Sequence, residues 1–203
     1  MDEEFLNVFG DPSVVRVKLT VMEDNHIISS CLSGEKEAFE MLVKKYQAPI
    51  LHLAWRILGD KDEAKDATQD AFVQTFSNLN RFDRTKSFKN WLYSITYKRC
   101  IDRKRKEKSH RNFMYRAAKE KPLYDRDRVH TDRIEDSKVF SSALKELSTR
   151  ERVAITLKIN DAYSASEIAD VLGCAESTAR VYLFNAKKKL RKLLQGKKHV
   201  LIF

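Results

Sequence analysis

The stretch from Ser164 to Arg191 carries the residues whose types and spacing best support chemistry. Ser164 with Glu167 forms a capping box, Ile168, Ala169 and Leu172 face inward, Gly173 permits a tight turn, and Ala179 and Leu183 pack a second helix back. This is a helix-turn-helix pattern. In such a unit the second helix enters the DNA major groove, its first residues reading base edges while basic groups anchor phosphates. Glu176, Ser177, Thr178, Arg180, Val181, Tyr182 and Asn185 are therefore expected toward bases, and Lys187, Lys188, Lys189 and Arg191 toward phosphates. An ordinary pair of packed helices with a solvated basic tail is the alternative; the basic run after the second helix favours DNA. Ala175, just before that helix, is a poor N-cap.

The elements that must position these groups are helical. Only five Gly and three Pro punctuate the chain, and apolar residues recur at spacings of three and four, so the fold class is all-α. Phe39, Leu42, Val43, Tyr46, Ile50, Leu53, Ala54 and Ile57 make one stripe, with Pro49 set to bend or divide the helix and Gly59 to end it. Asp60 with Glu63 opens a second helix whose inner face is Ala64, Ala67, Ala71, Phe72, Thr75, Phe76 and Leu79; Lys65, Asp66, Gln69, Asp70 and Gln74 lie outside. After a polar loop over 80–87, a third helix presents Phe88, Trp91, Leu92 and Ile95 and runs into Arg103-Lys104-Arg105-Lys106. Charges then dominate to about Asp136 and Pro122 interrupts any helix, which predicts a flexible basic linker. Helical order resumes through Val139, Phe140, Ala143, Leu144 and Leu147, and Ser148 with Glu151 is a second capping box.

The expected organisation is thus two small helical domains, 26–106 and 137–195, joined by a linker over 107–136. An extension over 1–25 precedes them and a tail over 196–203 follows. Within the extension Val15, Val17, Leu19 and Val21 alternate with polar residues as in a short strand, and Met22 is expected to be the true start.

With 39 Lys+Arg against 29 Asp+Glu, the net charge of +10 favours a polyanionic partner, nucleic acid before membrane. No apolar run approaches the roughly 20 residues that span a bilayer, and the start Met1-Asp2-Glu3-Glu4 is acidic where a secretory signal is basic. A cytoplasmic protein without membrane insertion is expected. Cys31, Cys100 and Cys174 are far apart and lack metal-ligand spacing, so reduced thiols are expected and no metal or cofactor. A nucleic-acid enzyme would need clustered carboxylates, a phosphate-binding glycine loop or a nucleophile with its base, and the sequence offers none of these patterns.

Three segments together resemble sigma-70-type sigma factors of the extracytoplasmic-function (ECF) group, which retain regions 2 and 4. They are Gly34-Glu35-Lys36-Glu37-Ala38-Phe39; the stretch from Asp62 through Phe72 continuing to Ser87-Phe88-Lys89-Asn90-Trp91-Leu92-Tyr93-Ser94-Ile95; and the helix-turn-helix ending Ala186-Lys187-Lys188-Lys189-Leu190-Arg191. The resemblance implies an alternative sigma factor, a non-catalytic subunit with core RNA polymerase, promoter DNA and an anti-sigma factor as partners. It places core polymerase docking at Asp66, Gln69, Asp70, Phe72 and Gln74, where acidic and amide side chains would complement a basic helix. It places the minus-10 element at Asn80, Arg81, Phe82, Lys86, Ser87, Lys89, Trp91, Lys98, Arg99, Arg103 and Arg105. An amide-and-hydroxyl loop there can hold a flipped base, aromatic faces can stack on unpaired bases, and the cations can hold the strand. Trp91 at helical spacing with Leu92 and Ile95 reads more as core than as a stacking surface. In the family the linker threads toward the polymerase cleft, which would bring Lys121, Arg126, Arg128 and Arg133 near nucleic acid; a merely solvated tether is the alternative.

This chain departs from the family pattern at Tyr182 and Asn185, where basic residues are common, at Val181, where Ser is frequent, and at Lys65, where an acid is common. The minus-35 sequence is therefore not carried over. The rival reading is a stand-alone helix-turn-helix regulator that binds duplex operators as a dimer.

Overall fold

The computed structural model describes residues 12–118, 140 and 142–194, and among these every element is helical. The first helix, α1, spans Pro12–Leu32 and takes in the segment expected as a strand. That expectation is corrected: a lone strand leaves its backbone groups unpaired, whereas a helix satisfies its own. Near its C-terminus α1 buries Ile28 and Cys31 and docks through Asp24, whose carboxylate accepts from the Tyr46 hydroxyl at 2.6 Å and from Lys45 at 2.8 Å. Burial, with that carboxylate beside it, pushes the Tyr46 hydroxyl far above the usual phenol range.

Helix α2, Phe39–Leu58, continues through Pro49 without dividing. Proline in a helix costs about 3 kcal/mol. Ile50, Leu53, Ala54 and Ile57 follow it and are all but fully buried, each large one contributing about 1.5 to 3 kcal/mol, so burial prevails. Gly59 closes the helix at φ 84°, the left-handed conformation that glycine adopts without strain. Helix α3, Lys61–Ser77, starts under the Asp60 carboxylate, which accepts from the Asp62 and Glu63 N–H groups at 2.9 Å. Its buried Ala64, Ala67 and Ala71 let α2 approach closely.

Helix α4 spans Phe88–Ala118 and so extends through 107–118, the first part of the segment expected as a linker. Its Lys, Arg and Glu residues are good helix formers, and charge alone does not end a helix. The rest of the expected linker, with Lys121, Arg126, Arg128 and Arg133, lies outside the described residues, as does the tail over 196–203.

The second module contains α5, Thr149–Asp161, α6, Ala165–Leu172, and α7, Glu176–Leu193. Both expected capping boxes are present, Ser148 with Glu151 and Ser164 with Glu167. Gly173 takes φ 63° at the turn between α6 and α7. Arg152, nearly buried, donates to the carbonyl oxygens of Lys145 at 3.1 Å and Leu147 at 3.2 Å, tying the segment before α5 to that helix.

The modules do not stand apart. Helix α4 packs on α6 and α2 on α5, and one apolar core runs from Leu53 and Leu92 through Tyr93 into Leu157, Tyr163 and Ile168. A smaller core, Leu144, Leu147, Ile155 and Leu190 among it, lies behind α7.

Candidate nucleic-acid interface

Helix α3 has two distinct flanks. On one, Gln69, Phe72 and Val73 join Val43, Gln47 and Leu51 of α2 around an apolar groove of about 480 Å³. Phe72 forms its floor, only 8% exposed and edge-on to Phe39 at 6.5 Å, whereas Val73 on the rim is 60% exposed. Asp66 and Asp70 instead meet α4, where Arg103 lies 2.6 Å from Asp70, 2.9 Å from Glu63 and 4.0 Å from Asp66. Gln74 accepts from Arg99 Nε at 2.6 Å. The five expected docking residues are therefore divided between the two flanks, and two expected strand-binding arginines are engaged by three of them. The Asp70 carboxylate beside it raises the Arg103 guanidinium further above its already high range.

The second flank opens into a cavity of about 400 Å³ that brings together Gln74, Asn78, Arg81, Trp91, Lys98 and Arg99. Trp91 is half-buried and stacks on Phe82 at 4.9 Å with 30° between the rings. Phe82 also meets Phe88 edge-on at 5.7 Å and is buried, so Phe82 supports Trp91 and presents little ring of its own. The remaining edge of Trp91 borders the cavity, and the residue is at once core and surface.

The loop before α4 is shaped locally. Asp83 accepts from the Thr85 hydroxyl at 2.6 Å and its N–H at 3.0 Å, and these bonds hold the Asp83 carboxyl below the usual carboxylate range. Ser87 accepts from the Asn90 N–H at 3.3 Å, starting α4. Asn80, Arg81 and Lys86 are exposed, as are Lys98 and Arg105; Lys89 points away from this face toward α5.

On α7, Glu176, Ser177, Arg180, Val181, Lys188, Lys189 and Arg191 are exposed, and Thr178, Asn185 and Lys187 are half-buried. Ala175 makes no side-chain cap, as its chemistry dictates. Arg180 donates to Glu176 through Nε at 3.1 Å. Tyr182 is half-buried, its hydroxyl accepting from Arg150 at 2.9 Å, and Lys189 is 2.7 Å from Glu151. Sequence reasoning passed over Phe184, which is 67% exposed one turn beyond Val181 and shares its face with Arg180 and Lys188. Its spacing from Arg180 and Val181 was the available signal.

Glu151 gives the second module a pH dependence. Burial alone would raise its carboxyl, but the Lys189 ammonium and the Ser148 N–H outweigh burial and hold it below the ordinary value of 4.5. A depressed carboxylate contributes stability that is complete above the unfolded value and is lost as pH falls through the folded one. Thermal melts of the native chain should therefore drop below about pH 4.5, and a Glu151→Gln chain, already weakened at neutral pH, should show a flatter acid limb. Parallel acid limbs for the two chains would contradict this.

An apolar groove and a basic, aromatic cavity on one helix, with a helix-turn-helix beside them, belong to an all-helical protein of two modules. Comparison with known proteins narrows the class. The Sigma-70 region 2 family model matches residues 42–110 and the Sigma-70 region 4 model residues 137–190, together more than half of the chain. The chain is 29% identical over 177 residues to the ECF RNA polymerase sigma factor SigW of Bacillus subtilis, covering 83% of this chain and 95% of the relative. It is 25% identical over 197 residues to the ECF RNA polymerase sigma-E factor of Escherichia coli, covering 86% and 95%. In fold it is similar to the sigma factor RpoE solved with the anti-sigma factor NepR from Bartonella quintana, with a TM-score of 0.65 and 22% identity over 79% of this chain and 98% of that one. It is likewise similar to CnrH solved with the cytosolic domain of CnrY, with a TM-score of 0.63 and 24% identity over 86% and 98%. The chain belongs to the ECF group of the sigma-70 family, and it is an alternative sigma factor of transcription initiation. No helix among the described residues is long and apolar enough to cross a membrane.

Proposed function

We propose that this chain docks on core RNA polymerase through the α2–α3 groove and holds the minus-10 strand on the opposite flank of α3, while α7 reads the minus-35 element. The observation that carries this reading is the division of α3 itself. An apolar rim suits a partner helix, and a cavity bordered by Trp91, Arg81, Lys98 and Arg99 suits an unpaired base and its phosphates. Stacking worth about 1 to 3 kcal/mol per base would offset the few kcal/mol spent on unstacking. Val73 joins Gln69 and Phe72 in the docking set, and Phe184 joins Arg180 and Val181, its ring suited to a thymine methyl group. Asp70 and Gln74 serve the polymerase indirectly, by holding Arg103 and Arg99 on the strand face. The chain acts in the cytoplasm as a non-catalytic subunit, and an anti-sigma protein restrains it, by analogy with RpoE bound to NepR and CnrH bound to CnrY.

The test is size-exclusion chromatography of the full chain alone, with core polymerase, and with duplex DNA. The reading expects a monomer that co-elutes with core polymerase and binds duplex weakly without it. A stable dimer that binds duplex tightly and ignores the polymerase would instead support a stand-alone regulator.

A further inference from the structure

The loop over 80–87 is fixed at its two ends by burial. Leu79 and Phe82 on one side and Phe88 on the other are buried, while Asp83, Arg84, Thr85 and Lys86 at the tip are exposed. Asp83 shapes the tip from within, through its bonds to Thr85. The tie between the tip and the rest of the module comes from α1. Asn25 Nδ2 donates to the Arg84 carbonyl oxygen at 3.1 Å, Arg84 Nη1 donates to Ser29 Oγ at 3.1 Å, and Ser29 Oγ donates to the Asn25 carbonyl oxygen at 2.8 Å. These bonds close a ring that holds Arg84 by its backbone and by its side chain. They join residues 55 and 59 positions apart, and α1 also packs on the Leu79–Arg81 turn and on α4.

Asn25 does little for the stability of α1 itself. It stands in mid-helix, where asparagine has low propensity, and its Oδ1 is buried with no hydrogen-bond partner among the described residues. A buried acceptor left unpaired costs stability. What the amide supplies is the bond to the loop. The Ser29 hydroxyl, bonded to the carbonyl four residues earlier, likewise adds little to a helix, yet that geometry leaves its oxygen open to Arg84.

We propose that Asn25 and Ser29 are positioning residues that hold the 80–87 loop in one conformation through Arg84, and so set how strictly that loop selects the base it takes from the minus-10 strand. The selectivity rests on the reading of this loop as a minus-10 contact; the tether itself does not. A loop ordered before DNA arrives does not have to be ordered by it. A loop held in one shape also rejects a base that fits badly, whereas a free loop adapts to it. Neither residue needs to touch the strand: Asn80, Lys86 and Ser87 present the polar groups, and α1 keeps them in place.

The test uses the full chain and its Asn25→Ala, Ser29→Ala and Ser29→Thr forms. Hydrogen exchange followed by mass spectrometry reads the tether in the free chain. The peptide over 80–87 should exchange about fivefold faster in the two alanine forms, the factor that one net hydrogen bond is worth, and at the native rate in Ser29→Thr, which keeps the hydroxyl. Selectivity is read with holoenzyme assembled on core polymerase and a randomised pool of single-stranded DNA. Native holoenzyme should enrich one base at the position the loop holds, and the alanine forms should lower that enrichment about fivefold while leaving preferences elsewhere in the strand as they are. Melting temperatures should stay unchanged, or rise for Asn25→Ala as the unpaired acceptor is removed. A melting temperature that falls in step with selectivity and is not rescued by Ser29→Thr would make both residues structural only and overturn the proposal. Native exchange over 80–87 in the alanine forms would overturn it as well. If exchange quickens but native holoenzyme enriches no base, the minus-10 reading fails and the tether stands. If native holoenzyme selects and the alanine forms select equally well, the positioning role fails alone.

Discussion

A Val73→Glu chain is expected to keep its helical fold and lose core polymerase binding by about 100-fold or more. Val73 is 60% exposed, so the substitution creates no cavity and buries no charge in the free protein. In the complex it sets a carboxylate on the rim of a groove bordered by Val43, Leu51 and Phe72. Desolvating an unpaired charge costs several kcal/mol, and about 2.7 kcal/mol is already 100-fold in affinity. Phe72→Ala would be a poorer probe, because Phe72 is buried against Phe39 and its loss would weaken the bundle as well. Fluorescence titration of the labelled chain with core polymerase reads the effect. Unchanged affinity for Val73→Glu would place the docking surface elsewhere.

Arg180→Ala should weaken promoter binding by about 1 to 3 kcal/mol, or about 5- to 150-fold, and relax sequence preference at one position of the minus-35 element. Arg180 is held in the free chain by Glu176 four residues earlier, both well exposed. A pair of that kind is worth about 0.3 to 0.5 kcal/mol, so exchanging it for a bidentate base contact costs little. Lys188→Ala makes the control. A phosphate contact carries no sequence information, so its loss should weaken all sites alike and lower the salt dependence by about one counterion. If Arg180→Ala behaves as Lys188→Ala does, Arg180 touches phosphate and α7 reads bases through other residues.

What the sequence disclosed follows the range of the interactions concerned. Caps and turns depend on residues a few positions apart, and Ser148, Ser164, Gly59 and Gly173 all stand where local chemistry put them. The alternation of Val15 to Val21 misled because a strand is defined by a partner, which periodicity within one segment does not reveal. The charged stretch after Arg105 misled for a related reason, since low apolar content removes packing without removing helix propensity. Pairs distant in sequence were not legible at all. Asp70 meets Arg103 across 33 positions and Tyr93 meets Asp161 across 68, and both pairs change what a solvated charge or a core tyrosine appeared to do. Phe184 is the intermediate case, visible from spacing yet easily counted as core until its exposure was seen.

Promoter selection by this chain is measured most directly by transcription of sheared genomic DNA by core polymerase with and without it, with the 5′ ends of the transcripts mapped. New, recurrent start sites that share two upstream elements and disappear with Val73→Glu or Arg180→Ala are expected. An active core polymerase that gains no start sites from a folded, binding-competent chain would contradict promoter selection.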